Sequence, residues 1–448
     1  MKRYLIILSF ALFALTGCNL YKAYEKTTAH PSDLYGDVMT PGDTASIGAL
    51  GWRSLFNDPL LQRLIDSAWV KNTDVRSAML TLQQAQNDLK SARWGYAPTL
   101  SFAPQATFLY EGGAYSNNFQ LPVKASWQLG IFGQTRSKIR SAKAKLAYDE
   151  DYRQAVRVSL AANVANYYYS LIMLDRQLAL SLEGERLYEE SYNTTQALYK
   201  AGVYNSPAVH EMQASLEDLR ADIVDLRNDI ATTEASLCKL LAEPPHAIER
   251  APFEAFVLPE QLSVGLPVRL LDARPDVRMA ERNMEIAYYG TQQARQAFYP
   301  SLDISAMIAY AGSFNALGFL AEAVGMLTQP IFQGGQLVAQ LRNAKADQEK
   351  AKLAFVQTLY DAGNEVYKYK KACETARDKA GHIEIRVNAL QEAYAATREL
   401  MDHGSTTYLE VLNAQESMLS AELTQVKNQY EMAQALINLY SALGGFGE

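Results

Sequence analysis

The sequence predicts a mainly α-helical, internally duplicated chain, with long helical hairpins and four membrane strands that make a small β-barrel contribution. Three observations predict it. From Gln336 to His403 the chain runs 68 residues without proline and with only Gly363 and Gly381, and from Gln134 to Lys200 it runs 67 with Gly184 alone. At ~1.5 Å per residue each would be a helix roughly 100 Å long, several times the usual length. Both runs break at glycine-containing turns, Ala201-Gly202 and His403-Gly404-Ser405-Thr406, and then resume, which reads as two hairpins. The halves also match at one constant offset of 202 residues. Asp74-Val75-Arg76 repeats as Asp276-Val277-Arg278, Ala92-Arg93 as Ala294-Arg295, Gly202 as Gly404, and Gln213 and Ser215 as Gln415 and Ser417. A period this long marks a duplicated architecture, not a short-repeat solenoid. Finally, the hydrophobic period changes from helical to two between Pro98 and Gly133 and again after Pro300.

Composition sets the bounds. The 448 residues are 48% hydrophobic and 20% charged, enough for a large core. Net charge is −7, from 42 Lys+Arg against 49 Asp+Glu, with no basic run, so nucleic acid is not expected as a partner. Three cysteines offer neither a disulfide framework nor a metal cage.

Residues 1–17 read as a signal peptide. Lys2-Arg3 is a basic start, Tyr4 to Leu15 is apolar but too short to span a bilayer, and Leu15-Thr16-Gly17-Cys18 resembles a bacterial lipobox. That resemblance implies diacylglycerol on Cys18, and Asn19 after it implies sorting to the outer membrane. Two acyl chains suffice for stable anchoring. Nothing but this lipid is expected as a cofactor.

Residues 18–72 form an anchored arm and a short helix: Asp58 caps it and Pro59 starts it. The first repeat spans 73–243. It opens with a helix over Thr73 to Trp94, with Val75, Met79, Leu82 and Leu89 as its apolar positions. Next, Leu100, Phe102, Pro104, Ala106, Phe108 and Tyr110 alternate with smaller or polar residues. After the tip at Glu111-Gly112-Gly113, Phe119, Leu121, Val123, Ala125, Trp127 and Leu129 alternate with polar neighbours. Pro104 and Pro122 cannot donate to a ladder, so they are expected at bulges or strand ends. The second repeat, 276–448, places a strand at Leu302 to Tyr310 and a weaker one from Phe319 to Phe332. Residues 244–275, with Pro244, Pro245, Pro252, Pro259 and Pro267, form a non-helical bridge between the repeats.

Four strands cannot close a barrel, and open edges are not tolerated in lipid. If they span a membrane, copies must pool them, and three copies give twelve. The helices carry seams for packing on one another: Leu216, Leu219, Ile223, Leu226, Ile230, Thr233, Leu237 and Leu240 in one copy, and Leu419, Leu423, Val426, Tyr430, Ala433, Ile437 and Tyr440 in the other.

Several motifs then resemble one family in order along the chain. They are the lipobox, Trp52-Arg53-x-Leu55-Phe56-x-Asp58, Trp127-x-Leu129-x-Ile131-Phe132-Gly133, Arg274-Pro275-Asp276-Val277, Pro330-Ile331-Phe332-x-Gly334-Gly335 and Tyr440-x-Ala442-Leu443-Gly444-Gly445. Together they resemble the TolC-type outer-membrane efflux factors in their lipoprotein branch, over nearly all of the mature chain. Gly130 departs, standing where that family usually has Asp. The resemblance implies a homotrimer with a twelve-stranded barrel in outer-membrane lipid and an α-helical periplasmic tunnel. It also implies docking to a periplasmic adaptor and an inner-membrane pump.

No nucleophile elbow, phosphate loop or zinc pattern is present, so transport without catalysis is expected. His30, His210, His246, His382 and His403 fall in no metal-ligand spacing. The functional positions are expected at the hairpin turns, Gly202 and Gly404. By the resemblance, Glu410 stands at an acidic pore-constriction position, Asn413 at a second where some relatives have Asp, and Thr406 where some have Arg. His210 and Glu211 lie near the opposite turn and are further candidates. Three copies of Glu410 would make a carboxylate ring favouring cations. Thr407-x-x-Glu410 reads equally as a capping box that only closes a helix.

Three functions compete: an outer-membrane exit duct for small molecules, a periplasmic adaptor, and a lipid-anchored coiled coil without a channel. Type I secretion of proteins is a variant of the first. An adaptor would carry one hairpin and lipoyl-like halves, whereas here the whole unit is duplicated.

Overall fold

The computed structural model describes residues 23–26, 51–253, 274–313 and 316–446. Cys18, the signal peptide, His30, Pro259 and Pro267 lie outside the described residues. The elements run α1 (Trp52–Leu55), α2 (Pro59–Lys71), α3 (Thr73–Trp94), β1 (Thr99–Phe102), β2 (Gln105–Glu111), β3 (Ala114–Leu129), α4 (Gln134–Lys200) and α5 (Ser206–Leu240). The second half follows with α6 (Pro275–Gln296), β4 (Ser301–Ser313), β5 (Ala316–Thr328), α7 (Gln336–Asp402) and α8 (Tyr408–Ala442). Corresponding helices have equal lengths, 22, 67 and 35 residues, and each second copy starts 202 residues after the first. No described helix is long and apolar enough to cross a membrane.

The described residues fall into two compact units. The first holds residues 79–152 and 276–358 together with the arm residues 23–26. Its sheet has the order β1–β3–β4–β5, with β2 also on β3, and every pairing is antiparallel. β1 and β2 are one strand broken at Ala103-Pro104, so five hydrogen-bonded segments make four tracks. The expectation for Pro122 needs correcting: it sits inside β3, opposite Ala309, neither at a bulge nor at an end. Its carbonyl accepts from Ala103 N at 3.4 Å, so its peptide faces the β1–β2 break. The two prolines thus share one interruption, which avoids a second break in the ladder.

Strand bounds differ elsewhere too. β3 starts at Ala114 rather than near Phe119, because Gly112 and Gly113 both take positive φ (58° and 86°) and close a two-residue hairpin loop. β5 begins three residues early and ends at Thr328, two residues before Pro330, so Gln329 to Phe332 are not strand. Below the sheet, Gln296 Nε2 donates to Ser137 Oγ at 3.0 Å and Arg278 pairs with Asp151 at 2.7 Å, joining α6 to α4. Tyr24 packs on Tyr288 with ring centroids 5.7 Å apart, and Lys26 pairs with Glu281 at 3.0 Å.

The second unit holds residues 51–78, 153–253, 274–275 and 359–446 of those described. Its core gathers Trp52, Phe56, Leu61 and Ile65 against Tyr168, Leu171, Leu237, Ile437, Tyr440 and Phe446. Asp58 does cap α2, accepting from Leu60 N at 2.8 Å, and it also accepts from the Tyr168 hydroxyl. Buried Asn72 caps α3 through Asp74 N and donates to Leu240 O at the end of α5. Arg250 clamps the start of the bridge, reaching Asp175 with two nitrogens and Glu234 with a third contact at 2.6 Å. Arg274 donates to Ala442 O at 2.6 Å and pairs with Glu365 at 2.7 Å, satisfying a terminal carbonyl of α8. The α5 seam is buried at Leu216, Leu219, Ile223 and Leu237. On α3 the buried positions are Val75, Ala78, Ala85 and Leu89; Met79 is 47% exposed, since the stripe through 78 and 85 leaves position 79 to one side.

Candidate functional site

The sheet has two unlike faces. Because cross-strand partners point the same way, the register places Phe102, Val123, Ile308 and Ala321 in one row, and Tyr310, Leu121 and Phe319 in another. No charged residue stands on this face along any of the four tracks. Its large side chains are bare in the single chain: Leu100 is 74% exposed, Phe108 67% and Leu327 65%. Toward the hairpin tips it is aromatic, with Tyr110 on Tyr115 (4.6 Å), Phe108 on Phe119 and Tyr310 on Phe319. The opposite face carries Lys124, Asp303, Glu322, Gln120 and Gln128. An exposed apolar face this large needs a covering, and aromatic residues at its edge are what a bilayer-facing band carries.

The hairpin ends lie in the second unit. Both turns use the same backbone device: Val203 N bonds Leu198 O and Ser405 N bonds Leu400 O, each at 2.9 Å, around Gly202 (φ 78°) and Gly404 (φ 68°). This six-to-one closure demands a left-handed residue, so glycine is required at both positions.

After the turns the copies diverge. Asn205 caps α5 by accepting from Ala208 N, whereas Thr407 at the start of α8 makes no side-chain cap bond. The capping-box reading therefore fails. Glu410 accepts instead from the Thr406 hydroxyl, a local bond that leaves its carboxylate exposed. Asn413 and His210 are exposed as well. Glu211 is engaged: the Tyr408 hydroxyl donates to its carboxylate at 3.0 Å, and Tyr408 lies edge-on to Tyr204 at 5.3 Å. Burial and the neighbouring carboxylate raise the Tyr408 phenol above its ordinary value, so it stays a donor at neutral pH. Thus Glu211 joins the second turn to the first, while Glu410, Thr406 and Asn413 stand apart from it.

Sequence reasoning missed Tyr204 and Tyr408. Neither belongs to a motif, and their contact joins residues 204 apart. Behind the turns, Tyr188, Met212, Leu216, Leu219, Leu412 and Leu419 form a cluster shared by α4, α5 and α8. Ser215 donates to Glu416, and Arg398 pairs with Glu190 at 3.0 Å. A groove of about 600 Å³ runs beside this cluster, lined by Asp218, Asp222, Asp225, Asp229 and Glu416 with Lys427. The aspartate spacing of four, three and four is readable in the sequence as one exposed helix face.

The outer membrane efflux protein family model matches the chain twice, over residues 64–243 and 266–445; the second match begins and ends 202 residues after the first. Among curated relatives, the toluene efflux pump outer membrane protein TtgC of Pseudomonas putida is 28% identical, over 99% of this chain and 96% of its own. The cation efflux system protein CusC of Escherichia coli K12 is 26% identical, over 96% and 97%. Among solved structures, the open state of the Neisseria gonorrhoeae MtrE outer membrane channel superposes with a TM-score of 0.85 at 26% identity, covering 95% of this chain and 97% of that one.

Proposed function

This chain belongs to the outer membrane efflux protein family and is an outer-membrane exit duct, and from that premise we propose that three copies close one twelve-stranded barrel and share one helical conduit. The observation that carries this is the bare apolar sheet face combined with its two edges. Among the described residues the β1–β2 track and β5 each pair on one side only. Unpaired backbone groups in hydrocarbon cost several kcal/mol each, roughly, so the edges must be closed by other copies. The polar face with Lys124, Asp303 and Glu322 then lines the lumen. Purified in mild detergent, the full chain runs as a trimer and conducts ions in planar bilayers. A monomer that leaves bilayers silent overturns the proposal.

The duct passes small molecules delivered by an inner-membrane pump through a periplasmic adaptor. Relatives named for toluene and for cations show how widely cargo varies at this identity, so the cargo class stays general. Lipidation of Cys18 fits the arm's reach. Tyr24 packs beside Tyr288, eight residues or roughly 12 Å of helix from the Gln296 end of α6 that leads into the sheet. The six residues back to Cys18 span at most roughly 20 Å, enough to bring an acyl group to that level.

At the hairpin ends, the Tyr408–Glu211 bond holds the second turn to the first, and the ring of exposed Glu410 carboxylates narrows the pore. Glu410→Gln lowers cation preference in single-channel recordings; an unchanged preference and conductance remove Glu410 from the pore.

A further inference from the structure

The duplication preserves a charge pattern as well as a backbone. Arg93, Arg140 and Lys143 in the first repeat recur as Arg295, Arg342 and Lys345 in the second, each displaced by 202 residues. All six belong to the first unit, beside the sheet. Arg93 and Arg295 are the penultimate residues of α3 and α6. Arg140 and Arg342 lie six residues into α4 and α7, and Lys143 and Lys345 nine, about 9 and 14 Å from the helix starts.

These cations are uncompensated. Residues 134–148 and 336–346 contain no carboxylate. Among the described residues none of the six has an ion-pair partner; Arg140 only overlies the Tyr289 ring, at 5.9 Å. Several charges on the same helices farther from the sheet are paired, as Lys145 is with Asp149, Arg278 with Asp151 and Lys350 with Asp347. Asp88, the nearest carboxylate on α3, lies five residues from Arg93. Four of the six are exposed and Arg140 and Arg295 half-buried.

The three of the first repeat also turn away from the lumen side. A cavity of about 840 Å³ on the polar face of the sheet is lined by Ser91, Lys124, Lys138 and Asp303. At roughly 100° per residue, Arg140 and Lys143 lie about 140–160° around α4 from Lys138, and Arg93 about 160° around α3 from Ser91. Between strands and helices sits a bare apolar layer, with Ile331 95% exposed and Phe332 86%, matching an interfacial belt.

We propose that these six cations form an outward collar that binds the phosphate headgroups of anionic phospholipids in the periplasmic leaflet of the outer membrane. The collar rests on the reading that the strands span that membrane. Guanidinium forks take phosphate oxygens in pairs, and lysine adds a point charge. A cation near an anionic bilayer surface is worth roughly fivefold in binding, and its pull fades over a Debye length of about 8–10 Å.

The test uses the full acylated chain in nanodiscs of equal phosphatylethanolamine and phosphatidylglycerol content, with retained lipids counted by native mass spectrometry after detergent release. The wild-type trimer keeps phosphatidylglycerol in roughly fivefold excess at low salt, falling toward parity near about 0.5 M salt. R140Q/K143Q/R342Q/K345Q loses the excess while trimer mass and conductance stay unchanged. Parity in an inserted wild-type trimer, or the same excess in the variant, overturns the collar. A wild type that neither assembles nor conducts overturns the membrane reading itself, and the collar with it. If the variant fails to assemble, the wild-type salt series decides alone.

Discussion

Replacing Tyr408 with Phe removes one hydroxyl and leaves the ring beside Tyr204 in place. The lost bond is the 3.0 Å contact to Glu211, the one bond between Tyr408 and the first hairpin's α5. Water competes for it, since Glu211 is exposed, so its net worth sits in the lower part of the usual range, about 0.5–1 kcal/mol per chain. Three copies opening together lose about 1.5–3 kcal/mol, which shifts the open-to-closed ratio roughly tenfold to a hundredfold. The assay is single-channel recording of the wild type, Y408F, E211Q and the double variant without adaptor or pump. Both single variants should raise open probability, and the double variant should add little to either, because each removes the same bond. Open probability within twofold of wild type for Y408F, or full additivity in the double variant, refutes the tether.

Gly445 tolerates no side chain: a Cβ there would lie 2.4 to 2.6 Å from ring atoms of Tyr440, itself packed on Phe446 and Phe56. G445A should cost at least about 1–3 kcal/mol through overpacking, read as a lower melting temperature. R274A strips the α8 carbonyl of its partner and leaves Glu365 without its cation; it should destabilise by about 1–3 kcal/mol, with R274K recovering part of the loss in the same melt. Burial pushes the Cys373 thiol up to about 11 from its ordinary 9.0, with Arg377 pulling weakly the other way. The folded chain thus holds this proton more tightly. That stability is complete below pH 9 and disappears as pH rises through 11. At pH 8, iodoacetamide should label the Cys373 peptide at least about tenfold more slowly in the native chain than in urea, by mass spectrometry.

The helices were legible because proline and glycine mark their limits: α4 begins at Gln134, just after Gly133, and ends at Lys200, two residues before Gly202. The sheet was legible in alternation but not in detail. Whether Pro104 breaks a strand or bulges it depends on what lies opposite, and only the pairing with β3 shows that Pro122 faces the same gap. Near the second turn, the place of Glu410 in the first turn of α8 was legible, yet its hydrogen-bond partner was not. Thr406 and Thr407 both offer a hydroxyl, and backbone geometry at the turn selects the first. The Glu211–Tyr408 bond spans 197 residues, beyond any local pattern.

The duplication also bears on which hairpin a gating motion would release. Equal helix lengths and identical turn closures mean that the two copies were built alike, so their differences are the informative part. Asn205 seals the start of α5, and the residue that follows three later, Ala208, is buried. At the matching places α8 has Thr407 without a cap bond and Glu410 in solvent. Losing a cap costs about 0.5–2 kcal/mol of local helix stability, and an exposed carboxylate cannot anchor a helix as a buried alanine does. The second turn is therefore the less firmly capped of the two ends, tied through the Tyr408 hydroxyl and ring to a neighbour that is itself capped. A duct that opens by releasing one hairpin would release this one, with the first serving as the fixed post against which it swings.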